Sequence, residues 1–396
     1  MRRALTILVL TAGLFTLGQA LAGTTEPPPE AVSISLSTPK AAFGDRVQVF
    51  GSAQPATLGR EVLIELSTGE AWAEIARTTT DATGAFSTEL VVTTAGDLRA
   101  RVLESGAASA MTPLAVTPIV KVKPVRGIAF AGATVRARVT PRSYTARAVL
   151  ILKRGGKTVA RKRTTVRGGR LRTVVRTPGI GRFFLEIRLP AAAGLSESAA
   201  GAGVVTRGRE LSVGSTGRDV RALTQRLAAL HFHTPGVSAT FSWSLIDSVI
   251  AFQKAYGLAR SGVVGPDTWR KLGTAKVLRP RYRAPAQHIE VDKTRQILMV
   301  VEDGSVQAVL PVSTGATGNT PEGRHAIRWK ALATTTWLGP GILYRTLTFY
   351  GDSFAIHGWY SVPTYPASHG CVRIPIWAAD WLYNRSPVGE TVYVYH

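Results

Sequence analysis

Apolar and polar residues alternate over short stretches of residues 31–208, and turns that contain glycine interrupt them. Segments such as Arg60–Leu66 (REVLIEL) and Arg147–Lys153 (RAVLILK) have the period of a half-buried strand. Many short strands separated by such turns are typical of a β-sandwich of the immunoglobulin type.

Three segments recur at nearly equal offsets of 85 to 87 positions: Phe43 with Phe130, Arg60–Leu66 with Arg147–Lys153, and Gly96–Val102 with Gly181–Ile187. Equal offsets indicate a duplicated module. We therefore predict two sandwiches, residues 31–117 and 118–208. Neither contains a catalytic constellation, so both are interpreted as spacers or binding modules.

Residues 209–275 change to a helical period. The apolar positions of three predicted helices are Val220, Leu223, Leu227 and Leu230, then Leu245, Val249 and Phe252, then Trp269 and Leu272. Asp219 is predicted to cap the first helix, and the third is predicted to begin near Pro266. Three helices of this length make a compact bundle.

Residues 286–396 return to short strands, with a meander that turns at Asp303-Gly304 and a final strand in PVGETVYVYH. Pro375 is predicted at the first position of a short helix that contains WAADWL. The predicted fold class is multidomain and mainly β: two immunoglobulin-like sandwiches, a small three-helix bundle and a β-rich C-terminal domain.

The first residues have the pattern of a secretory signal. Arg2 and Arg3 precede an apolar segment, Ala4–Leu17, and Ala20–Ala22 forms a small-x-small cleavage site. We interpret residues 1–22 as a signal and expect the remaining chain in the periplasm or cell wall. Retention of the segment as an anchor stays open. No later segment is long and apolar enough to cross a bilayer.

The formal net charge of +23 predicts anionic partners. Residues 119–207 hold 20 Lys and Arg against two acids, Glu186 and Glu197. Export argues against nucleic acid, which leaves anionic wall polymers or an anionic membrane surface for residues 118–208. A merely soluble surface is the alternative, although solubility does not need so one-sided a charge.

Cys371 is the single cysteine of the chain, so it cannot form an internal disulfide. His369 lies two positions before it and His357 lies upstream in AIHGW, which makes both histidines candidate bases for a nucleophilic thiolate. A tight turn through Gly370 could direct the N–H groups of Gly370 and Cys371 at a substrate oxyanion. The helix after Pro375 is expected to favour the thiolate.

Two metal sites are alternatives. His231 and His233 form an HxH pair, but no acid or thiol lies nearby in the sequence, and we expect both on the surface around a buried Phe232. A zinc site of His357, His369 and Cys371 lacks a fourth ligand and an HExxH helix. We predict no metal and no cofactor.

The segment from Gly214 to Leu272 resembles the three-helix peptidoglycan-binding module. The matching positions are Gly214, Gly217, Asp219-Val220, Gln225, Leu227, Phe252-Gln253, Gly257-Leu258, Gly262, Val264-Gly265, Thr268-Trp269 and Leu272. Ser261 and Ser248 depart from the usual aspartate and alanine. The resemblance implies that residues 209–275 bind peptidoglycan.

The motifs PVSTG, TPEG, HG and SHGCVR together resemble the L,D-transpeptidase catalytic domain over residues 286–396. The resemblance implies a β-rich fold with Cys371 as nucleophile and His357 as general base. Gly358 would orient that base through its carbonyl. Ser368, His369 and Gly370 would shape the oxyanion side, with His369 counted among the catalytic residues.

Substrate binding is assigned to Arg373, which is placed to attract a carboxylate, and to Tyr344. The segment Gly358–Ala367 is shorter than the connection in many family members. The implied reaction forms 3→3 cross-links between peptidoglycan stem peptides and releases D-alanine. An L,D-carboxypeptidase with the same site and a non-catalytic wall-binding scaffold remain alternatives.

Overall fold

The computed structural model describes residues 30–69, 71–335 and 342–396. The predicted signal, residues 1–22, lies outside the described residues. The chain divides into two compact units, Met1–Ala115 and Val116–His396. Within the described ranges, no helix has the length and apolar character needed to span a membrane.

The first unit is built from strands β1 Ala31–Leu36, β2 Lys40–Ala42, β3 Arg46–Gln54, β4 Glu61–Ser67, β5 Trp72–Thr79, β6 Ala85–Val91, β7 Gly96–Val102 and β8 Thr112–Thr117. They form a three-stranded sheet, β1-β3-β6, and a five-stranded sheet, β2-β8-β7-β4-β5. In β3, the fully buried Val47 and Val49 alternate with less buried residues, as the two-residue period predicts. In β4, four consecutive residues, 62–65, are buried, so the predicted alternation is wrong there.

The second unit begins with strands β9 Ile119–Val122, β10 Val125–Ile128, β11 Gly132–Thr140, β12 Ala146–Arg154, β13 Lys157–Val166, β14 Arg170–Val175, β15 Gly181–Leu189 and β16 Ser198–Arg207. Strands β9-β11-β14 and β10-β16-β15-β12-β13 pair in the same order as β1–β8. The pairing of β10 with β11 joins the two groups into one sheet of eight strands. The duplication seen in the sequence is therefore a duplication of strand topology.

The helical module contains α1 Arg218–Ala229, α2 Trp243–Ala255 and α3 Pro266–Thr274. Its predicted apolar positions are buried in one core. The prediction that Asp219 occupies the capping position is wrong, because Gly217 precedes the first turn. Asp219 lies inside that turn, where its carboxylate accepts from the N–H of Val220 at 3.0 Å and from Nε of Arg209 at 2.6 Å. The third helix begins at Pro266, as predicted.

The C-terminal domain contains β17 His288–Asp292, β18 Ile297–Glu302, β19 Ser305–Pro311, β20 Gly323–Ala326, β21 Trp329–Thr335, β22 Ile342–Tyr350, β23 Phe354–Trp359, β24 Val372–Pro375, α4 Ile376–Arg385 and β25 Thr391–Tyr395. Two sheets, β19-β18-β17-β25-β20 and β21-β22-β23-β24, enclose its core with α4. Asp303 and Gly304 form the predicted turn with positive φ. The mainly β, multidomain fold class is confirmed.

Strand β18 connects two cores. Ile297, Met299 and Val301 pack with the helical module, whereas Leu298 and Val300 pack inside the C-terminal domain. An unbroken apolar run such as ILMVV is typical of a strand that is covered on both faces. The helical module therefore covers one face of the β18 sheet of the C-terminal domain.

Polar contacts complete this junction. His233 stacks on Trp377 and on Trp381 with ring centroids 5.2 Å and 4.3 Å away. Nε1 of Trp377 donates to Asp247 at 2.8 Å. The N–H of His233 donates to the carbonyl of Val309 at 3.0 Å, and the N–H of Val309 donates to the carbonyl of His231 at 2.8 Å. His231 and His233 are half-buried rather than exposed, because the C-terminal domain covers part of each side chain, so the prediction that both lie on the surface is wrong.

Candidate active site

His357 and the residue after Cys371 lie on neighbouring parallel strands. In the register of β23 and β24, Ile356 is opposite Val372 and His357 is opposite Arg373. Cys371 immediately precedes β24, so the pairing of these strands brings the thiol to the same cavity as the imidazole. That cavity has a volume of about 600 Å³, and both side chains line it.

The ring of His357 is held by a backbone carbonyl. Its Nδ1 atom lies 3.1 Å from the carbonyl oxygen of Gly358. A carbonyl only accepts hydrogen bonds, so Nδ1 carries the proton and Nε2 of the neutral ring has a free lone pair. Burial lowers the pKa of His357 to about 4, against the smaller opposing effect of the Gly358 carbonyl. The residue is therefore a neutral base at pH 7.

Gly358 cannot carry a side chain without displacing its surroundings. A Cβ atom there would lie 2.7 Å from Cβ of Ala379 and 3.1 Å from Cδ1 of Tyr344. Helix α4 therefore packs directly on the backbone that positions the imidazole.

The thiol of Cys371 is neutral at rest. Burial raises its pKa and outweighs a backbone hydrogen bond with Ala355 and the charge of Arg373, both of which lower it. The Sγ–H group donates to the carbonyl of Ser353 at 3.5 Å. The predicted stabilisation of the thiolate by a helix end is wrong, because strand β24 separates Cys371 from α4, which begins at Ile376.

The SHGC turn is closed by its own serine. Oγ of Ser368 donates to the carbonyl of Cys371 at 2.6 Å and accepts from the N–H of Gly370 at 3.0 Å. The prediction that the Gly370 N–H faces a substrate oxyanion is therefore wrong. The Cys371 N–H has no hydrogen-bond partner in the described part of the chain.

Gly370 adopts a φ of +139°, and a Cβ there would lie 2.5 Å from the ring of Phe354. Both the dihedral and the packing require glycine. The turn would otherwise be pushed away from β23.

A loop that the sequence reasoning did not assign to the site holds the SHGC turn in place by hydrogen bonds. Nδ2 of Asn319 donates to the carbonyl of His369 at 2.8 Å, and Oγ1 of Thr320 donates to the carbonyl of Gly370 at 2.7 Å. Nζ of the buried Lys293 in turn holds this loop through the carbonyls of Gly318 and Thr320. The TPEG motif, which contains Thr320, was the available signal.

The remaining predicted residues occupy different places. Arg373 lines the cavity, donates to the carbonyl of Ala367 at 3.1 Å and lies 5.0 Å over the ring of Trp359. His369 lies exposed at the cavity. Tyr344 does not line it: its hydroxyl donates to both carboxylate oxygens of Asp380 at 3.0 Å, so its assignment to substrate binding is not supported.

Sequence reasoning also missed the far wall of the cavity. The lining residues contributed by β21, β22 and the turn before β23 include Trp329, Thr334, Thr335, Leu343, Thr346, Thr348, Asp352 and Ser353. Their spacing carries no chemical signature, since they meet only through the pairing of distant strands. No group of three metal-ligating side chains occurs among the described residues.

Comparison with known families now decides the identity of this domain. The family model described as "L,D-transpeptidase catalytic domain" matches residues 286–394. The family model described as "putative peptidoglycan binding domain" matches residues 216–272. A crystal structure of the L,D-transpeptidase (residues 123–326) from Xylanimonas cellulosilytica is 36% identical, with a TM-score of 0.45, over 47% of this chain and 98% of that chain. The chain belongs to the L,D-transpeptidase family.

Two further solved structures are more distant. The L,D-transpeptidase from Mycobacterium smegmatis is 12% identical over 70% of this chain and 100% of that chain, with a TM-score of 0.27. A fused amidase/peptidase with a peptidoglycan-binding domain from Clostridium acetobutylicum is 19% identical over 47% of this chain and 99% of that chain, with a TM-score of 0.24. Nothing matches among the curated proteins.

The two family matches make this L,D-transpeptidase an enzyme that acts on peptidoglycan, and they indicate a location in the cell wall or periplasm. The N-terminal β-rich region is consistent with the predicted immunoglobulin-like repeats.

Proposed function

We propose that the enzyme forms 3→3 cross-links between peptidoglycan stem peptides through a thioester on Cys371. The observation that carries the proposal is the placement of Cys371 and His357 on one cavity, with the Nδ1 proton of His357 directed to Gly358. This leaves Nε2 as the nitrogen that can accept the thiol proton.

In the first half-reaction, Sγ of Cys371 bonds to the carbonyl carbon of the third stem residue while its proton passes to Nε2 of His357. The Cys371 N–H donates to the oxyanion that forms. The bond to D-alanine then breaks, and the imidazolium of His357 gives its proton to the leaving amine. A thioester remains on Cys371.

In the second half-reaction, the side-chain amine of another stem attacks the thioester. His357 takes the proton of this amine and returns it to Sγ as the thiol leaves. The new amide bond is the cross-link. Arg373 binds a substrate carboxylate by its charge and His369 contacts substrate at the cavity mouth.

We further propose that residues 1–22 export the enzyme and are removed afterwards. Residues 209–275 then bind the polymer whose stems occupy the cavity. Because the helical module packs on β18, a glycan chain bound there lies at a fixed position relative to Cys371.

The test is incubation of residues 23–396 with disaccharide-tetrapeptide, followed by mass spectrometry. The expected product is a dimer that lacks one D-alanine. Cys371→Ala should give neither dimer nor a covalent acyl-enzyme. Monomeric tripeptide alone would show that water is the acceptor and replace transpeptidation by L,D-carboxypeptidase activity.

His357→Gln and His369→Gln form a matched pair in this assay. His357→Gln should lose acyl-enzyme formation, because no base accepts the thiol proton. His369→Gln should retain the acyl-enzyme and weaken substrate binding. Equal turnover by wild type and His357→Gln would contradict the proposed base.

A further inference from the structure

The duplication provides an internal comparison of surface chemistry. The strands of the two repeats pair in the same order, and this pairing identifies equivalent positions. Phe50, which lies opposite Ser87 in the first repeat, is equivalent to Arg136, which lies opposite Arg172 in the second. Likewise, Ser52 lies between Ser33 and Ala85, whereas Arg138 lies between Lys121 and Arg170. Five uncharged positions of the first repeat are cationic in the second.

These five cations, which we term the basic array, are Lys121, Arg136, Arg138, Arg170 and Arg172. They share one outward face, because the alternating residues Val135, Ala137 and Leu171 are buried. All five are exposed. Directly opposite side chains on adjacent strands are about 5 Å apart, and residues two apart on a strand about 7 Å.

Nothing within the described residues neutralises the basic array. None of its side chains makes a hydrogen bond or ion pair in that part of the chain. The two acids of residues 119–207 lie elsewhere: Glu186 pairs with Lys153 and Arg188 on another strand, and Glu197 is in the connection before β16. Like charges placed directly opposite one another destabilise a sheet, so the fold tolerates the basic array at a cost in stability.

The shape of the basic array favours a linear polymer. Lys121, Arg138 and Arg170 form a row across three strands, so an extended polyanion that crosses the sheet meets one cation per strand. A membrane surface is less suited to this face, because interfacial binding combines basic residues with aromatic or apolar anchors. Strands β9, β11 and β14 contain no aromatic residue, and Thr134 and Thr140 continue the outward row of β11. Val174, which is 36% exposed, is the one large apolar side chain of these three strands that counts as exposed.

The basic array is fixed to the rest of the second unit. Phe130, which lies between β10 and β11, stacks on Trp269 of α3 with ring centroids 6.0 Å apart. Nε1 of Trp269 donates to the carbonyl of Arg209 at 2.7 Å. A ligand held on the basic array therefore holds the helical module and, through β18, the catalytic domain.

We propose that the basic array of the second repeat binds a linear anionic wall polymer with closely spaced phosphate or carboxylate groups. This site is distinct from the catalytic cavity and from the peptidoglycan-binding helices. Its role is to retain the enzyme along a polyanion while the catalytic domain acts on stem peptides.

The test uses residues 23–396 and two chemically defined probes, linear polyphosphate and polygalacturonate, titrated over a series of salt concentrations. The array variant carries Lys121→Ser, Arg136→Gln, Arg138→Ser, Arg170→Ala and Arg172→Ser. The matched control removes the same charge from the same repeat by Arg147→Gln, Lys157→Gln, Arg161→Gln, Arg163→Gln and Arg182→Gln.

The array variant should bind at least about tenfold more weakly than wild type at low salt and show a shallower dependence of affinity on salt. The control should change affinity by less than about threefold. The probe that binds more tightly identifies phosphate or carboxylate as the ligand group. Unchanged acylation of Cys371 shows that the catalytic domain of the array variant is folded, and an unchanged far-UV circular dichroism spectrum shows that its β-rich repeats are folded.

Equal losses in the array variant and the control would overturn the proposal, since binding would then depend on net charge alone. Failure of the wild type to bind either polymer would also overturn it. Binding to phosphatidylglycerol vesicles in preference to both polymers would replace the polymer by a membrane surface. The single substitution Arg138→Gln, at the centre of the row, should already lower affinity measurably.

Discussion

The Nδ1 atom of His357 lies 3.1 Å from the carbonyl oxygen of Gly358, its neighbour in β23. This contact fixes the tautomer of a base that burial keeps neutral, with a pKa of about 4. The proposed proton donor to this base is the thiol of Cys371, and burial raises the pKa of that thiol. The resting pair is therefore a neutral thiol and a neutral imidazole, and charge develops only as the proton moves.

The acid limb of activity should reflect His357. Protonation removes the base, so kcat/KM for acylation should stay level from pH 7 down to about pH 5 and fall near pH 4. Alkylation of Cys371 by iodoacetamide at pH 7 should be slow and should accelerate as pH rises. An acid limb near pH 6.5 would mean that His357 titrates like an exposed histidine, and rapid alkylation at pH 6 would indicate a preformed thiolate–imidazolium pair.

Gly358→Ala should lower the rate of acylation at least about tenfold. Its Cβ would lie 2.7 Å from Cβ of Ala379, so the carbonyl that orients His357 has to move. The double variant Gly358→Ala, Ala379→Gly should recover part of the rate. Gly265→Ala is the matched control, because no atom lies within 4 Å of its added Cβ. No recovery in the double variant would argue against the packing explanation.

Thr320→Val should destabilise the enzyme by about 1–3 kcal/mol and slow acylation. It leaves the Gly315 N–H and the Gly370 carbonyl without the buried hydroxyl that joins them at 2.9 Å and 2.7 Å. Thr320→Ser keeps this hydroxyl and should retain most of the rate. Urea unfolding and acylation by the tetrapeptide measure the two effects, and equal behaviour of both variants would contradict the role of the hydroxyl.

The sequence predicted the elements that depend on local periodicity, such as the strands of both repeats and the three helices. It could not predict contacts that depend on distant partners. Asp219 lies inside the first turn of α1 and pairs with the distant Arg209, and the tryptophans of α4 stack on His233. The residue pattern made His357 and His369 candidate bases for Cys371, and the family resemblance selected His357, but neither showed that Ser368 takes the N–H of Gly370.

The junction between helices and catalytic domain should make stability depend on pH. Burial lowers the pKa of His233 to about 4, so its unfolded form binds a proton that the folded form excludes. The contribution of neutral His233 to the free energy of unfolding is therefore complete above pH 6.5. This contribution is lost as pH falls from 6.5 towards 4, by up to about 1.4 kcal/mol per pH unit. His233→Phe, which can still stack on Trp381, should show a shallower loss in urea unfolding between pH 7 and 4.5. The exposed control His369→Gln should follow wild type.

Lys254 should respond to pH in a different window. It is buried beneath the same junction, where Nζ donates to the carbonyl of Val312 at 2.7 Å, and burial lowers its pKa to about 7. Between pH 10 and 7 the unfolded chain binds a proton that the folded chain does not, so wild-type stability falls as pH falls. Below pH 7 both forms are charged and the difference stays constant.

Lys254→Met removes this titration. Its stability relative to wild type should therefore increase by up to about 1.4 kcal/mol for each unit that pH falls from 10 to 7. The lost hydrogen bond to Val312 adds an offset that does not vary with pH. Lys276→Met, on an exposed side chain, is the control. A constant difference between Lys254→Met and wild type across this window would mean that Lys254 stays charged inside the fold, held by Val312 and by the nearby charge of Asp247.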